Sequence, residues 1–195
     1  MNWEETVRRS SVIREQHRES LIAGLRNRQD FNWLLGAPNR SFDRLQGDFF
    51  ETFPVSYLDP QAQPATNRRT VMIVNNTCDL PANRSTFVSV APVVDLGSFL
   101  KALEKRRKPE ALANFEKTVR ENNVCELLFL PTLKGFPNGA LVRLDMICSV
   151  AMSLLEEAVR RGTRCASFTQ NGFYVLLMKL TYHLTRIESD EVTRF

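Results

Sequence analysis

The spacing of apolar residues changes several times along this chain of 195 residues, and each change predicts a new element. Residues 1–35 carry acidic and basic side chains at helical spacing, with apolar positions concentrated in the second half. This mixture is typical of helices with solvated faces. Residues 36–39 (Gly-Ala-Pro-Asn) interrupt the pattern and predict a linker. We therefore expect a helical N-terminal extension over residues 1–40, whose first half needs a partner to become ordered.

Strands are predicted from residue 45 onward, where short apolar runs rich in β-branched residues replace the helical spacing. The runs are residues 47–53, 70–74 and 87–94. Pro, Gln and Asn are frequent in residues 54–68, which predicts a loop between the first two strands. The Asn-rich residues 75–83 predict a turn before the third strand.

The second half of the chain combines helices with another pair of strands. Amphipathic spacing predicts two helices within residues 97–122, the second beginning at Pro109. The later elements are strands at residues 125–130 and 140–150 and helices at residues 152–161 and 171–187. Together these patterns predict an α+β fold, with one domain over residues 41–195, a helical insertion at 97–122 and a C-terminal helix.

The composition indicates in which compartment the protein is found, and it says less about its activity. Hydrophobic residues make up 43% and charged residues 25%, as in a globular chain, and a net charge of +4 permits phosphate contact without requiring it. The four cysteines show no metal-site spacing, which indicates thiols in a reducing compartment. Because neither a signal peptide pattern nor an apolar window of membrane-span length occurs, we expect a cytoplasmic protein without membrane contact.

Familiar catalytic motifs do not occur in the sequence, the P-loop, G-x-S-x-G and H-E-x-x-H among them. His17 and His183 both fall in predicted helices, so a histidine general base is not expected. Asp48 and Asp79 lie near strand ends, but two carboxylates at unrelated positions do not define a metal site. We expect neither a metal nor another cofactor.

Four segments share the pattern of one family. They are residues 47–50 (Gly-Asp-Phe-Phe), 69–76 (Arg-Thr-Val-Met-Ile-Val-Asn-Asn), 88–93 (Val-Ser-Val-Ala-Pro-Val) and 141–147 (Leu-Val-Arg-Leu-Asp-Met-Ile). In this order they resemble the MazF/PemK toxins, which begin with a Gly-Asp strand, enter the next strand through Arg-Pro and return on a Val-Ala-Pro strand. The resemblance implies a small SH3-like β-barrel, to which the helical insertion and the N-terminal extension are additions.

The resemblance also implies an activity, the metal-independent cleavage of single-stranded RNA. In the family this depends on an Arg at the strand entrance and a Thr or Ser at the end of the returning strand. Arg69 matches the first position, whereas the second falls at Val94 or Asp95, and neither offers a neutral hydroxyl. Thr66, Arg68 and Thr70 are nearby residues that could substitute for it in space. The candidate catalytic residues are therefore Arg69 and Thr70, with Arg68 as a candidate ligand-binding residue.

Polar residues at the exit of the strand at 70–74 form a second candidate site. Asn76, Thr77 and Asp79 would contact a ligand at the mouth of the barrel, or they form an Asx-type turn through local hydrogen bonds. Both interpretations fit the sequence.

The densest positive cluster lies between the two helices of the insertion and includes Lys105, Arg106 and Arg107. These residues are candidates for phosphate binding. Cations also occur at solvated helix ends, where they complement the helix dipole, and that interpretation stays open as well.

Two functions follow from these observations. The first is a MazF/PemK-like module that binds single-stranded RNA or another nucleic acid, either an endoribonuclease toxin or a degenerate derivative. The alternative is a non-catalytic protein-interaction subunit of a prokaryotic defence or toxin-antitoxin assembly, as the missing hydroxyl and the insertion suggest. In both cases the N-terminal helices are the candidate contact for an antitoxin or assembly partner, and the resemblance implies a homodimer.

Overall fold

The computed structural model describes residues 3–10, 13–26, 31–38, 43–58, 61–81 and 84–185. Within these residues the chain forms six α-helices and eight β-strands, and every strand pair is antiparallel. The α+β class predicted from the sequence is therefore confirmed. None of the described helices is long and apolar enough to cross a membrane.

One sheet contains the eight strands of the described chain. They are β1 (Leu35–Gly36), β2 (Asp48–Leu58), β3 (Pro64–Ile73), β4 (Phe87–Asp95), β5 (Leu127–Leu130), β6 (Ala140–Arg143), β7 (Cys148–Ala151) and β8 (Arg164–Phe168). Their spatial order is β1-β8-β2-β3-β4-β6-β5, and β7 pairs with β4 beside this path. The outer strands do not pair with each other in the described part of the chain. The sheet is therefore open, and the closed SH3-like barrel expected from the sequence is not confirmed.

Helices flank the sheet and interrupt its strand sequence. They are α1 (Trp3–Arg9), α2 (Glu15–Arg26), α3 (Leu96–Glu104), α4 (Pro109–Arg120), α5 (Met152–Arg160) and α6 (Gln170–Thr185). The two helices predicted for residues 97–122 are α3 and α4, and Pro109 occupies the first helical turn of α4, where no intrahelical N–H is needed. Gly162 follows α5 with a φ of 66°, the left-handed conformation that commonly ends a helix.

A long hairpin of β2 and β3 corrects the loop predicted at residues 54–68. Both strands continue through this segment, because its polar side chains pair across the strands. Ser56 and Thr66 share a hydrogen bond of 2.8 Å, and the Asn67 amide donates to the Tyr57 hydroxyl at 2.8 Å. Polarity here reflects an exposed pair of strands and not an irregular loop.

The strand predicted at residues 140–150 is divided, because β4 changes partner along its length. The first half of β4, Phe87 to Val90, pairs with β7, whereas its last three residues pair with β6. A 3₁₀ turn at Leu144–Met146 separates β6 from β7. The two pairings differ in register by three residues, because Val90 lies opposite Cys148 and Val93 lies opposite Val142, and the 3₁₀ turn accommodates the extra residues.

The sequence pattern does not predict β8, although this strand joins two parts of the sheet. It pairs with β1 on one side and with the start of β2 on the other. Its pairing with β1 includes Gly36, so the predicted linker at residues 36–39 begins inside the sheet. Asn39, at the end of that prediction, lies outside the described residues.

Three apolar clusters form the core. The first joins the inner face of β2, β3, β4 and β7 to α5, the second joins α1, α2 and α6 to the sheet, and the third lies beneath α3 and α4. Trp3 and Val7 of α1 are buried at 3% and 0% exposure within the second cluster. The first helix therefore finds its packing partner within this chain.

Candidate nucleic-acid interface

A cleft at the end of β4 brings together both positions that the family resemblance singles out. β3 and β4 are antiparallel neighbours, and their paired register ends with Val71 opposite Pro92, two residues from both Arg69 and Val94. Arg69, Val94 and Asp95 all line one cleft of about 360 Å³. The structure thus places the strand-entrance arginine and the end of the returning strand at the same cleft.

A hydroxyl group is present in this cleft, although it comes from a different residue than the sequence suggests. Asp95 caps the N-terminus of α3, and its Oδ1 accepts hydrogen bonds from the Ser98 amide at 2.8 Å and the Ser98 hydroxyl at 3.0 Å. Ser98 is exposed and lines the cleft. An Asp followed three residues later by Ser at a predicted helix start is the signal that would have identified it.

The guanidinium of Arg69 is available for a ligand. Arg69 is half-buried, and no carboxylate of the described residues pairs with its side chain within 4.0 Å. Two aromatic rings, those of Phe99 and Phe136, line the same cleft. A guanidinium beside partly buried aromatic rings is a combination that can bind the phosphate and the base of an unpaired nucleotide.

The other two candidates on β3 do not share this position. Side chains alternate between the two faces of a strand, so Arg68 and Thr70 lie on the opposite face from Arg69. Arg68 is exposed, and its Nη1 donates to the carbonyl of Thr52 at 3.0 Å, in the bulged part of β2. Thr70 is half-buried, and it is not one of the residues that line the cleft.

The candidate site after β3 is a 3₁₀ turn at Thr77–Asp79. The side chain of Asn76 accepts from the amide of Cys78 at 3.1 Å, and the hydroxyl of Thr77 accepts from the amide of Gln46 at 3.1 Å. Asp79 is exposed. These contacts match the Asx-type turn, one of the two interpretations that the sequence left open, and they place the three residues outside the Arg69 cleft.

The basic cluster forms the exposed turn between α3 and α4. Lys105, Arg106 and Arg107 are all exposed, and the guanidinium carbon of Arg107 lies 4.4 Å from the centre of the Phe115 ring. The Phe115 ring in turn lies 6.4 Å from the ring of Phe99, which lines the cleft. A row of aromatic rings therefore connects this positive turn to the Arg69 cleft.

Asp48, the first residue of β2, has a structural role and does not line the Arg69 cleft. Asp48 is fully buried, accepts from the Ser167 hydroxyl at 2.6 Å, and lies 3.3 Å from Nε of Arg164. Burial raises the pKa of Asp48, whereas the hydrogen bonds from Ser167 and from the Leu45 amide act in the opposite direction. In the described part of the chain, no group of three or more His, Cys, Asp or Glu side chains is placed to hold a metal ion.

Comparison with known proteins adds no family to this description. No family model matches the chain, and no curated protein matches it significantly. A proposal about function therefore rests on the geometry of the Arg69 cleft.

Proposed function

We propose that this chain binds single-stranded RNA in the Arg69 cleft, as a divergent relative of the MazF/PemK toxins. The observation that carries the proposal is the grouping in one cleft of Arg69, which has no carboxylate partner among the described residues, with the Asp95–Ser98 pair and two aromatic rings. An arginine fork binds a phosphate through two parallel hydrogen bonds, and aromatic rings stack on unpaired bases. A cytoplasmic location is part of the proposal, because RNA is the ligand.

The strand connectivity supports an SH3-like core for this proposal. Five strands follow the spatial order β8-β2-β3-β4-β7, so the last strand along the chain returns to pair with the first of the five. The inner faces of β2, β3, β4 and β7 share one apolar cluster, which α5 covers. A meander that returns on its first strand is the arrangement from which a small barrel curls, and the described sheet stops short of closure.

The Asp95–Ser98 pair favours RNA over DNA as the ligand. Oδ1 of Asp95 accepts both hydrogen bonds from Ser98, which leaves Oδ2 as the acceptor for a ribose 2′-hydroxyl. The 2′-hydroxyl is the group by which proteins distinguish the two nucleic acids. A phosphate on Arg69 and a 2′-hydroxyl on Asp95 place the two reacting groups of RNA cleavage in one cleft.

Cleavage would then need no metal. Asp95 takes the proton of the 2′-hydroxyl, O2′ attacks the adjacent phosphorus, and Arg69 neutralises the charge that develops on the phosphoryl oxygens. The bond to the 5′-oxygen breaks, this oxygen takes a proton from water, and the hydroxide that remains takes the proton held by Asp95, which restores the carboxylate. The products are a 2′,3′-cyclic phosphate and a 5′-hydroxyl.

The direct test measures binding of a fluorescent single-stranded RNA and of its DNA counterpart at one fixed salt concentration. We expect RNA to bind more tightly, and we expect Arg69→Gln to weaken RNA binding about tenfold or more, the effect of losing a charge-assisted pair. Arg68→Gln is the matched control, because it removes the same charge one residue away on the opposite face. Absence of RNA binding by the wild-type chain, or equal losses in both variants, would refute the proposal.

A separate observation supports the alternative, a non-catalytic protein-interaction subunit of a defence or toxin-antitoxin assembly. Phe87 is 59% exposed at the start of β4, next to β7, which pairs only with β4 among the described strands. An unpaired strand edge beside an exposed aromatic ring suits a partner that adds a strand. Gel filtration of the chain alone and with an antitoxin candidate, with Phe87→Ser as the variant, separates this function from RNA binding and reports whether the chain forms a homodimer.

A further inference from the structure

A second cleft, of about 390 Å³, adjoins the Arg69 cleft. The loop from Pro131 to Pro137 forms much of its wall, together with Gly36 from β1. Phe136 lines this second cleft and the Arg69 cleft as well. The two clefts are therefore neighbours that share one aromatic residue.

The loop holds Phe136 in a defined position. Its amide donates to the carbonyl of Leu133 at 3.0 Å, and its own carbonyl accepts from the amide of Gly139 at 3.0 Å. Leu133 is buried at 7% exposure, which anchors the loop in the core. These hydrogen bonds fix the backbone of Phe136, and its side chain is partly buried against the core, which leaves part of the ring accessible for stacking.

The second cleft carries its own cation. The side chain of Lys134 is 73% exposed, and its Nζ lies 3.3 Å from the carboxylate of Glu51. Ion pairs between exposed side chains contribute little, so a phosphate can compete for this ammonium group. The order Arg69, Phe136, Lys134 thus alternates a cation, an aromatic ring and a second cation.

We propose that the two clefts form one track for single-stranded RNA, which extends the RNA-binding function proposed above and rests on it. One phosphate binds Arg69, the next base stacks on Phe136, and a further phosphate binds Lys134. Only an unpaired base can stack on a protein side chain in this way, so the track accepts single strands and excludes duplexes. Glu51 limits the affinity, because it competes with the phosphate for Lys134.

The test compares a ribodinucleotide with a ribohexanucleotide, because the dinucleotide has a single internucleotide phosphate and cannot place one phosphate on Arg69 and another on Lys134. We expect Lys134→Gln to weaken hexanucleotide binding about threefold to tenfold, and to lower the salt dependence of binding by about 0.7, the contribution of one single-strand phosphate contact. Dinucleotide binding should not change. Lys117→Gln on α4, an exposed lysine outside both clefts, is the matched control.

Two further variants test the roles of the neighbours. Glu51→Gln should tighten hexanucleotide binding about twofold to fivefold, since it frees Lys134 for the phosphate. Phe136→Leu should weaken hexanucleotide binding about tenfold through loss of stacking, with an unchanged melting temperature showing that the loop still folds. If Arg69→Gln weakens both oligonucleotides while Lys134→Gln and Glu51→Gln change neither, the track is refuted and the RNA-binding function stands. If the wild type binds neither oligonucleotide, both proposals fail.

Discussion

The hydroxyl of Ser167 donates a hydrogen bond of 2.6 Å to the carboxylate of Asp48, across 119 positions of the chain. This contact joins β8 to the start of β2, where Asp48 stands opposite Ser167 in the strand register. Both residues are buried: Ser167 is 6% exposed and Asp48 is 0% exposed. The pair therefore ties the C-terminal strand to the Gly-Asp segment that begins the strand series.

Ser167→Ala should destabilise the chain by about 1–3 kcal/mol, because it leaves a buried carboxylate with one partner fewer. The measurement is urea unfolding followed by circular dichroism. Ser149→Ala on β7 removes the same hydroxyl from an exposed position and should change stability by less than about 0.5 kcal/mol. Equal effects of the two substitutions would show that the Asp48 contact contributes nothing specific.

The loop that carries Phe136 ends at Gly139, a position with no room for a side chain. Gly139 has a φ of 94°, and a Cβ there would lie 2.6 Å from Cε2 of Phe129. Gly135 has a similar φ of 86°, but a Cβ at that position would meet no atom within 4 Å. The two glycines share the backbone requirement and differ in the space around them.

This difference makes a matched pair of variants. Gly135→Ala should cost about 1 kcal/mol from the left-handed backbone alone. Gly139→Ala should cost about 2–4 kcal/mol, because the strain of overpacking against Phe129 adds to the backbone term. Thermal unfolding of both variants measures the difference, and equal losses would contradict the close contact.

Asp95 offers a test that separates binding from chemistry. Asp95→Asn keeps a good N-cap for α3, because the amide oxygen can accept from Ser98, but it removes the carboxylate that takes the 2′-hydroxyl proton. We expect cleavage to fall about a hundredfold or more while RNA binding changes less than about threefold. The assay follows the 2′,3′-cyclic phosphate product in the presence of a chelator. Undiminished cleavage by the variant would exclude Asp95 as the base.

Much of the fold could be predicted from the spacing of apolar residues. The predictions that were wrong or missing have physical causes. The helices at Leu96–Glu104 and Pro109–Arg120 follow from apolar spacing and from Pro109 in the first turn of the second helix. The residues of β8 show no comparable apolar pattern. This strand forms because it pairs with β1 at one edge and with β2 at the other, and these partners are distant in the sequence. The polar residues of the β2–β3 hairpin suggested a loop, since pairing across strands cannot be seen in one segment.

The site was predictable to the extent that it depends on strand order. Arg69 and Val94 line the same cleft because β3 and β4 are antiparallel neighbours, so the start of one strand lies beside the end of the other. Ser98 was missed, because it enters the cleft from the first turn of a helix and not from the strand end. Phe136 was missed for a similar reason: a loop distant in sequence places it there.

Lys179 on α6 is a buried cation whose contacts favour the charged form. It is 1% exposed, and its Nζ donates to the carbonyls of Val124 at 2.5 Å and Leu127 at 2.8 Å. Burial nevertheless lowers the pKa of Lys179 to about 7, with Cys125 and Glu126 acting in the opposite direction. Because the pKa of Lys179 differs between the folded and the unfolded chain, the free energy of unfolding depends on pH.

The sign of this dependence follows from the two protonation states. The ordinary pKa of a lysine is 10.5, so between about pH 7 and 10.5 the unfolded chain holds a proton that the folded chain has lost. The free energy of unfolding should therefore rise with pH across this window, with a slope on the order of 1.4 kcal/mol for each pH unit. Cys165 opposes the rise at its upper end, because burial raises the pKa of that thiol to about 11.

Lys179→Met isolates the lysine, because it keeps the apolar stem and removes the titrating group. Urea unfolding at a series of pH values from about 7 to 10.5 should show the rise in the wild type and its loss in the variant. The contribution of Cys165 is common to both chains and cancels in the difference. Lys117→Met, on the exposed surface of α4, should retain the wild-type profile. A wild-type profile that is parallel to that of Lys179→Met would mean that the folded chain keeps Lys179 charged throughout, held by the carbonyls of Val124 and Leu127.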